Sequence, residues 1–248
     1  MCVKFDRFYT ECLGMKLLRK RDIPEDKYSN AFLGYGPEDS SFTVELTYNY
    51  GMDNYDIGTG FGHFGIIAED VSKTVDIVKA KGGKVTREPG SVIGGSIVTA
   101  SVEDPSGYRF KLLERRTTRE PLCKVMLRVG DLDRVIAFYE KAVGMKLLHK
   151  IDNPEEKYTV AKLGYGPVLE LTYNYGVTNY DKGNGYAQIA IGTDDVYKTA
   201  EAIKSCGGKV IREPGPLPGI NTKIVVCLDP DGWKLVFVDN VDFLKELE

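Results

Sequence analysis

From residue 124 to 129 the chain reads KVMLRV, polar and apolar by turns and rich in β-formers, which predicts a strand. The next stretch, DRVIAFYEKAVG, predicts a helix that Asp131 or Asp133 can cap and that closes on Gly144. MKLLHK, AKLGYG and LELTYN then read as short strands. YAQIAIG opens a second half, DDVYKTAEAIKSCGG is an amphipathic helix ending in glycine, and KIVVCLDPDGWKLVFVD is a hairpin turning on DPDG. The order is strand, helix, three strands, and then the same again.

That order occurs in duplicate. FYTECLGMKLLRKRDIPEDKY, from Phe8, matches FYEKAVGMKLLHKIDNPEEKY, from Phe138, and VELTYNYGMDNYDIGTGFGHF matches LELTYNYGVTNYDKGNGYAQI. GGKVTREPG agrees with GGKVIREPG, and DPSGYRFKLLE with DPDGWKLVFVD. Identities this long mark a tandem duplication. The chain therefore divides into two domains, 1–118 and 119–248, holding four βαβββ modules in an α+β fold. In the first copy only MCVKF precedes the helix, so the first strand of the first module is expected to be missing, leaving an open sheet edge. The GG pairs at 82–83 and 207–208 are helix stops, since no GxGxxG or GKS follows a strand.

Composition narrows the function classes. A net charge of -3 argues against a nucleic-acid binder or an anionic-membrane binder, which would show a clustered basic excess. No apolar run approaches the roughly 20 residues of a membrane span. The start of the sequence reads as neither a signal nor a transit peptide. The five cysteines are scattered without a CxxC pair, which fits thiols in a reducing cytosol. A cytoplasmic monomer or homodimer acting on small molecules is expected.

The strings GMKLL, ELTYNYG, GFGHFGI, GGKVTREPG, VMLRVGDLDR and YAQIAIGTDDVYKTAE resemble the two-domain plant glyoxalase I (lactoylglutathione lyase) of the vicinal oxygen chelate superfamily, over essentially the whole chain. The resemblance implies cup-shaped mixed sheets around a divalent Zn or Ni. Each site there takes two ligands from the first half of one repeat and two from the second half of the other. It also implies isomerisation of the hemithioacetal of methylglyoxal and glutathione, with a glutamate moving a proton between adjacent carbons.

Transferred residue by residue, the family's Gln or His, Glu, His and Glu fall on Lys124, Glu170, His63 and Lys111. Two of the four are lysines, and a protonated ammonium has no lone pair to offer a metal. His63 and Glu170 are what is left of the metal site, so no cofactor is expected to be required, with Zn or Ni held only if the family site is partly retained. At the other site Glu45, Gln188 and Val236 remain, and valine cannot ligate. Side chains two apart on a strand share a face, so Lys124, Met126 and Arg128 line one wall and Glu170, Thr172 and Asn174 another. Arg128 and Asn174 match family positions that contact glutathione. Opposite them, Thr59 stands where the family has a basic residue, which weakens the anion clamp and puts glutathione in doubt.

Two lysines can stabilise a developing enolate as a divalent ion would. One of them, or Glu170, would serve as base, with His63 as a proton relay. The substrate expected for such a site is a sulfur-free α-hydroxyketone, which water loss from an unsaturated ring would convert to a phenol. In its altered ligands and lost strand the chain resembles the specialised glyoxalase I of gossypol-type sesquiterpenoid biosynthesis, in which aromatisation proceeds without glutathione. The alternatives are a glutathione-dependent lactoylglutathione lyase that detoxifies methylglyoxal, and an inactive binding protein of the same fold. Against the functional readings stand plain ones: drifted, solvated lysines at 111 and 124, and Tyr48 and Tyr173 as packing residues. His149 reads as a surface or structural residue, and Glu45 as retained by repeat identity alone.

Overall fold

A computed structural model describes residues 7–91, 96–116, 118–165, 168–218 and 220–248. Strands dominate and helices are few. In chain order the elements fall into modules. The first holds a π-helical turn at Phe8–Cys12, then β1 (Lys16–Ile23), β2 (Tyr28–Gly34) and β3 (Thr43–Asn49). The second is β4 (Phe61–Ala68), α1 (Val71–Ala80), β5 (Lys84–Ser91), β6 (Val98–Glu103) and β7 (Arg109–Glu114). The third is β8 (Leu122–Arg128), α2 (Leu132–Lys141), β9 (Lys146–Asn153), β10 (Tyr158–Gly164) and β11 (Val168–Asn174). The fourth is β12 (Ile189–Thr193), α3 (Val196–Ser205), β13 (Lys209–Pro216), β14 (Lys223–Leu228) and β15 (Lys234–Asp239), followed by α4 (Asn240–Glu246). The βαβββ order read from the sequence is thus present in modules two to four. The strand expected to be missing from the first module falls on residues 1–6, outside the described residues.

The chain forms two compact units, Met1–Asp56 with Gly62–Met126, and Ile57–Phe61 with Leu127–Glu248. In the first unit β1, β2 and β3 form an antiparallel sheet in that order, with β3 at its end among the described residues. The second module runs β5-β6-β7-β4, with β4 parallel to β7. In the second unit β11-β10-β9 is antiparallel, and β12-β15-β14-β13 repeats the pattern of the second module, with β12 parallel to β15.

Local chemistry explains the helices. Asp70, Asp131 and Asp195 each sit in extended backbone at an N-cap and accept a bond from an amide of the first turn, from Lys73 (2.8 Å), Arg134 (3.1 Å) and Tyr197 (2.9 Å). Of the two candidates before α2, Asp131 is therefore the cap. Gly144, at φ +75°, takes the left-handed conformation that ends the segment. The short α4, which sequence periodicity does not signal, is nucleated by Asp239, whose carboxylate accepts from the amides of Val241 and Asp242.

Each unit is pinned by a buried tyrosine on the aspartate of a DPxG turn. In the first unit the Tyr9 hydroxyl donates to Asp104 at 2.9 Å, while the amides of Ser106 and Tyr108 donate to the other oxygen. In the second, Tyr139 donates to Asp229 at 3.2 Å, and the amides of Asp231 and Trp233 do the rest. Burial pushes the Asp229 carboxyl up to about 6, with the neighbouring Asp231 adding to the rise and the amide bonds opposing it.

Candidate functional site

In the first unit, β4 lies next to β7 and to the Leu122–Met126 stretch of β8. Gly65 stands opposite Lys111 in the parallel β4–β7 register. A Cβ on Gly65 would lie 2.4 Å from Cγ of Lys124, so the lysine stem crosses the face that Gly65 leaves bare. His63 is two residues from Gly65 on the same strand and shares that face. His63, Lys111 and Lys124 therefore meet on one face of the first unit, all three half-buried. A Cβ at 65 would force the Lys124 stem to move. Met126 is buried, with its sulfur 2.4 Å from where a Cβ on Gly62 would stand.

The second unit holds the other named residues. Glu170 and Thr172 are buried on β11, at 7% and 8% exposure. Lys162 on β10 stands directly opposite Glu170 in the antiparallel register, with Nζ 4.0 Å from Oε2. The Thr172 carbonyl accepts from the Val129 amide at 3.0 Å. Asn174 donates its side-chain amide to the Tyr180 hydroxyl at 2.9 Å. Arg128 donates from Nη1 to the carbonyls of Thr59 (2.7 Å) and Phe61 (3.1 Å), which fastens the 57–61 segment. Phe61 in turn stacks on Tyr186 at 5.1 Å, and Trp233 donates its indole N–H to the Arg128 carbonyl at 3.0 Å. Arg128 and Asn174 are thus held by protein groups, whatever they also do for a ligand.

Lys162 is the functional candidate that sequence reasoning missed. The signal was the one departure between the repeats' AFLGYG and AKLGYG, a lysine where the first copy has Phe32. A cavity of about 580 Å³ also opens in the second unit, lined by Asp131, Arg134, Lys150, Thr159, Tyr173 and Asp231 among others. Thr159 pairs with Tyr173, three residues from the Lys162–Glu170 pair on each strand, which puts the cavity on the opposite sheet face from Glu170.

The remaining family positions carry less chemistry. Glu45 is exposed on β3. Val236 is buried at 7% in an apolar cluster with Ile224 and Val226. Gln188 is half-buried just before β12, and His149 is exposed on β9.

The divalent metal that the fold resemblance implies does not fit this donor set. Among the described residues no group of three or more His, Cys, Asp or Glu side chains is placed to hold one. On the His63 face both neighbours are ammonium groups, which cannot ligate while protonated and which repel a dication.

Comparison with known proteins places these observations. The profile of the Glyoxalase/Bleomycin resistance protein/Dioxygenase superfamily matches residues 4–112 and again 122–237. The chain is 77% identical to the "Probable lactoylglutathione lyase, chloroplastic" of Arabidopsis thaliana, over 98% of this chain and 71% of that protein. It is 66% identical to the lactoylglutathione lyase of Oryza sativa subsp. japonica, over 97% of this chain and 86% of that one. Glyoxalase I from Zea mays, a solved structure, superposes with a TM-score of 0.95 at 66% identity, covering 98% of this chain and 90% of its own.

Proposed function

Because the chain belongs to the Glyoxalase/Bleomycin resistance protein/Dioxygenase superfamily, we propose that it is a glyoxalase I-type lyase that enolises an α-hydroxycarbonyl substrate with lysine side chains in place of a metal. The observation that carries this reading is the placement of Lys111 and Lys124 beside His63, on the face bared by Gly65. Glu170 takes the proton from the carbon next to the carbonyl. Charge then collects on the carbonyl oxygen, where the role of the ammonium groups is to stabilise it, and the proton returns to the adjacent carbon. His63 relays the hydroxyl proton. Met126, Thr172, Asn174 and Arg128 are the substrate-contacting residues of this reading, and its functional domains are 1–118 and 119–248.

At the finer level the substrate is a sulfur-free α-hydroxyketone of plant specialised metabolism, sesquiterpenoid and gossypol-like, whose enolisation leads to aromatisation without glutathione. Two observations motivate only the glutathione-free part of that choice: the two lysines at family ligand positions, and Arg128 being tied to the backbone carbonyls of Thr59 and Phe61. A second reading, a glutathione-dependent lactoylglutathione lyase, has the stronger support from the comparisons, since relatives 66–77% identical over nearly the whole chain carry that name. None of the names reported above extends to the sesquiterpenoid role. Among the described residues no helix is long and apolar enough to cross a membrane. A cytoplasmic site of action remains part of the proposal, set against one relative that is named chloroplastic.

The test is α-proton exchange of a simple α-hydroxyketone in heavy water, followed by NMR, with chelator present and glutathione absent. Exchange supports the first reading. Turnover confined to the methylglyoxal–glutathione adduct, and dependent on added Ni or Zn, replaces it with the second. Binding without turnover on either substrate class leaves only a binding protein.

A further inference from the structure

A carboxylate as buried as that of Glu170, whose side chain is 10% exposed, needs compensation, because removing an unpaired charge from water costs several kcal/mol. Lys162 brings a cation to it from the neighbouring strand. The pairing is specific to the second unit. In the first unit the same register puts Phe32 opposite Glu45, and Arg19 lies over that ring at 4.2 Å. There Glu45 takes its hydrogen bond from the Asn30 amide, whose counterpart in the second copy is the apolar Val160. The second copy thus has an ammonium directly opposite its glutamate where the first has a phenylalanine, and it has it where the glutamate is buried.

We infer that Lys162 is a positioning residue, its ammonium holding the Glu170 carboxylate in the orientation from which it takes the substrate proton. The inference rests on the reading of Glu170 as the base. The lysine is half-buried on the strand next to Glu170, so the register of β10 and β11 fixes where its stem starts and keeps its charge near the carboxylate. At 4.0 Å the lysine acts on the buried carboxylate through its charge rather than through a hydrogen bond, and its own end stays partly exposed.

The test uses the full-length chain as wild type, Lys162→Met, Lys162→Arg and Glu170→Gln, with thermal melts to establish that each folds. In the heavy-water exchange assay, Lys162→Met is expected to lower kcat about tenfold with KM within about twofold, and Lys162→Arg to recover most of the loss. Unchanged kcat in Lys162→Met, while Glu170→Gln is inactive, overturns the inference and leaves the base assignment standing. Failure of Lys162→Arg to recover also overturns it, since packing alone would then explain the loss. A readout independent of turnover is the δ-carbon resonance of Glu170 in protein labelled with carbon-13 glutamate, assigned by its disappearance in Glu170→Gln. It should move in Lys162→Met and return in Lys162→Arg; an unmoved resonance contradicts the inference even if no activity is found. Full exchange in Glu170→Gln, in contrast, would remove the base assignment on which the inference depends.

Discussion

Glu45 and Glu170 occupy the same position of one repeated segment, ELTYN, on strands β3 and β11. Glu45 is exposed, with an asparagine amide for a partner and a phenylalanine opposite. Glu170 is buried, with a lysine opposite. The difference continues at the parallel strand pairs. In the first unit Lys111 stands against Gly65, whose bare face admits a second lysine. In the second, Val236 stands against Ala190 and joins Ile224 and Val226 in an apolar cluster. One duplicated scaffold thus carries a polar, cationic set of family positions and a set in which exposure or apolar packing has taken over. Sequence identity between the copies does not separate the two carboxylates; burial and the cross-strand partner do.

The comparison can be broken from the apolar side first. Val236→Lys puts an ammonium into a cluster with no counter-charge among its members, and should cost about 3 kcal/mol or more in urea unfolding. An unchanged midpoint would mean that the second parallel pair is as tolerant of charge as the first.

A pH effect of nearly that size is expected at Asp229. Burial raises its folded value from 3.8 to about 6, so the contribution is fully present below the unfolded value and is lost as pH rises through about 6. Wild-type stability should therefore fall relative to Asp229→Asn between about pH 4 and pH 7, by roughly 3 kcal/mol in all. A flat difference between the two unfolding profiles would contradict this.

Smaller again, Lys111→Met and Lys124→Met should each slow α-proton exchange by about 10- to 100-fold, ~1.4–2.7 kcal/mol of anion stabilisation, with little change in melting temperature. Full activity in both single variants would reduce the lysines to solvated surface.

Much of the fold was legible in the sequence. The alternation in KVMLRV gave β8, the Asp131 carboxylate and Gly144 bracket α2, and the repeat itself dictated the module order. The lysines at 111 and 124 and the valine at 236 are visible in the sequence, at positions where the resemblance implies ligands. What stayed hidden depends on strand register, which periodicity does not carry. The second copy is shorter after its GYGP, yet both hairpins keep one register: Gly34 pairs with Thr43 and Gly164 with Val168. Only then does Lys162 stand opposite Glu170. Arg128 was expected at a ligand, and its bonds to Thr59 and Phe61 could not be foreseen, because they depend on where the 57–61 segment returns. The cap that nucleates α4 lies in the last strand, where an aspartate reads as a strand residue.

The most direct test of the division between the two glutamates is α-proton exchange by Glu170→Gln and Glu45→Gln, side by side, in heavy water with chelator and without glutathione. The expected result is loss of about 10³-fold or more in Glu170→Gln and wild-type exchange in Glu45→Gln, as for removal of a general base set against removal of an exposed carboxylate. Equal losses in the two variants, or full exchange in Glu170→Gln, would contradict the account.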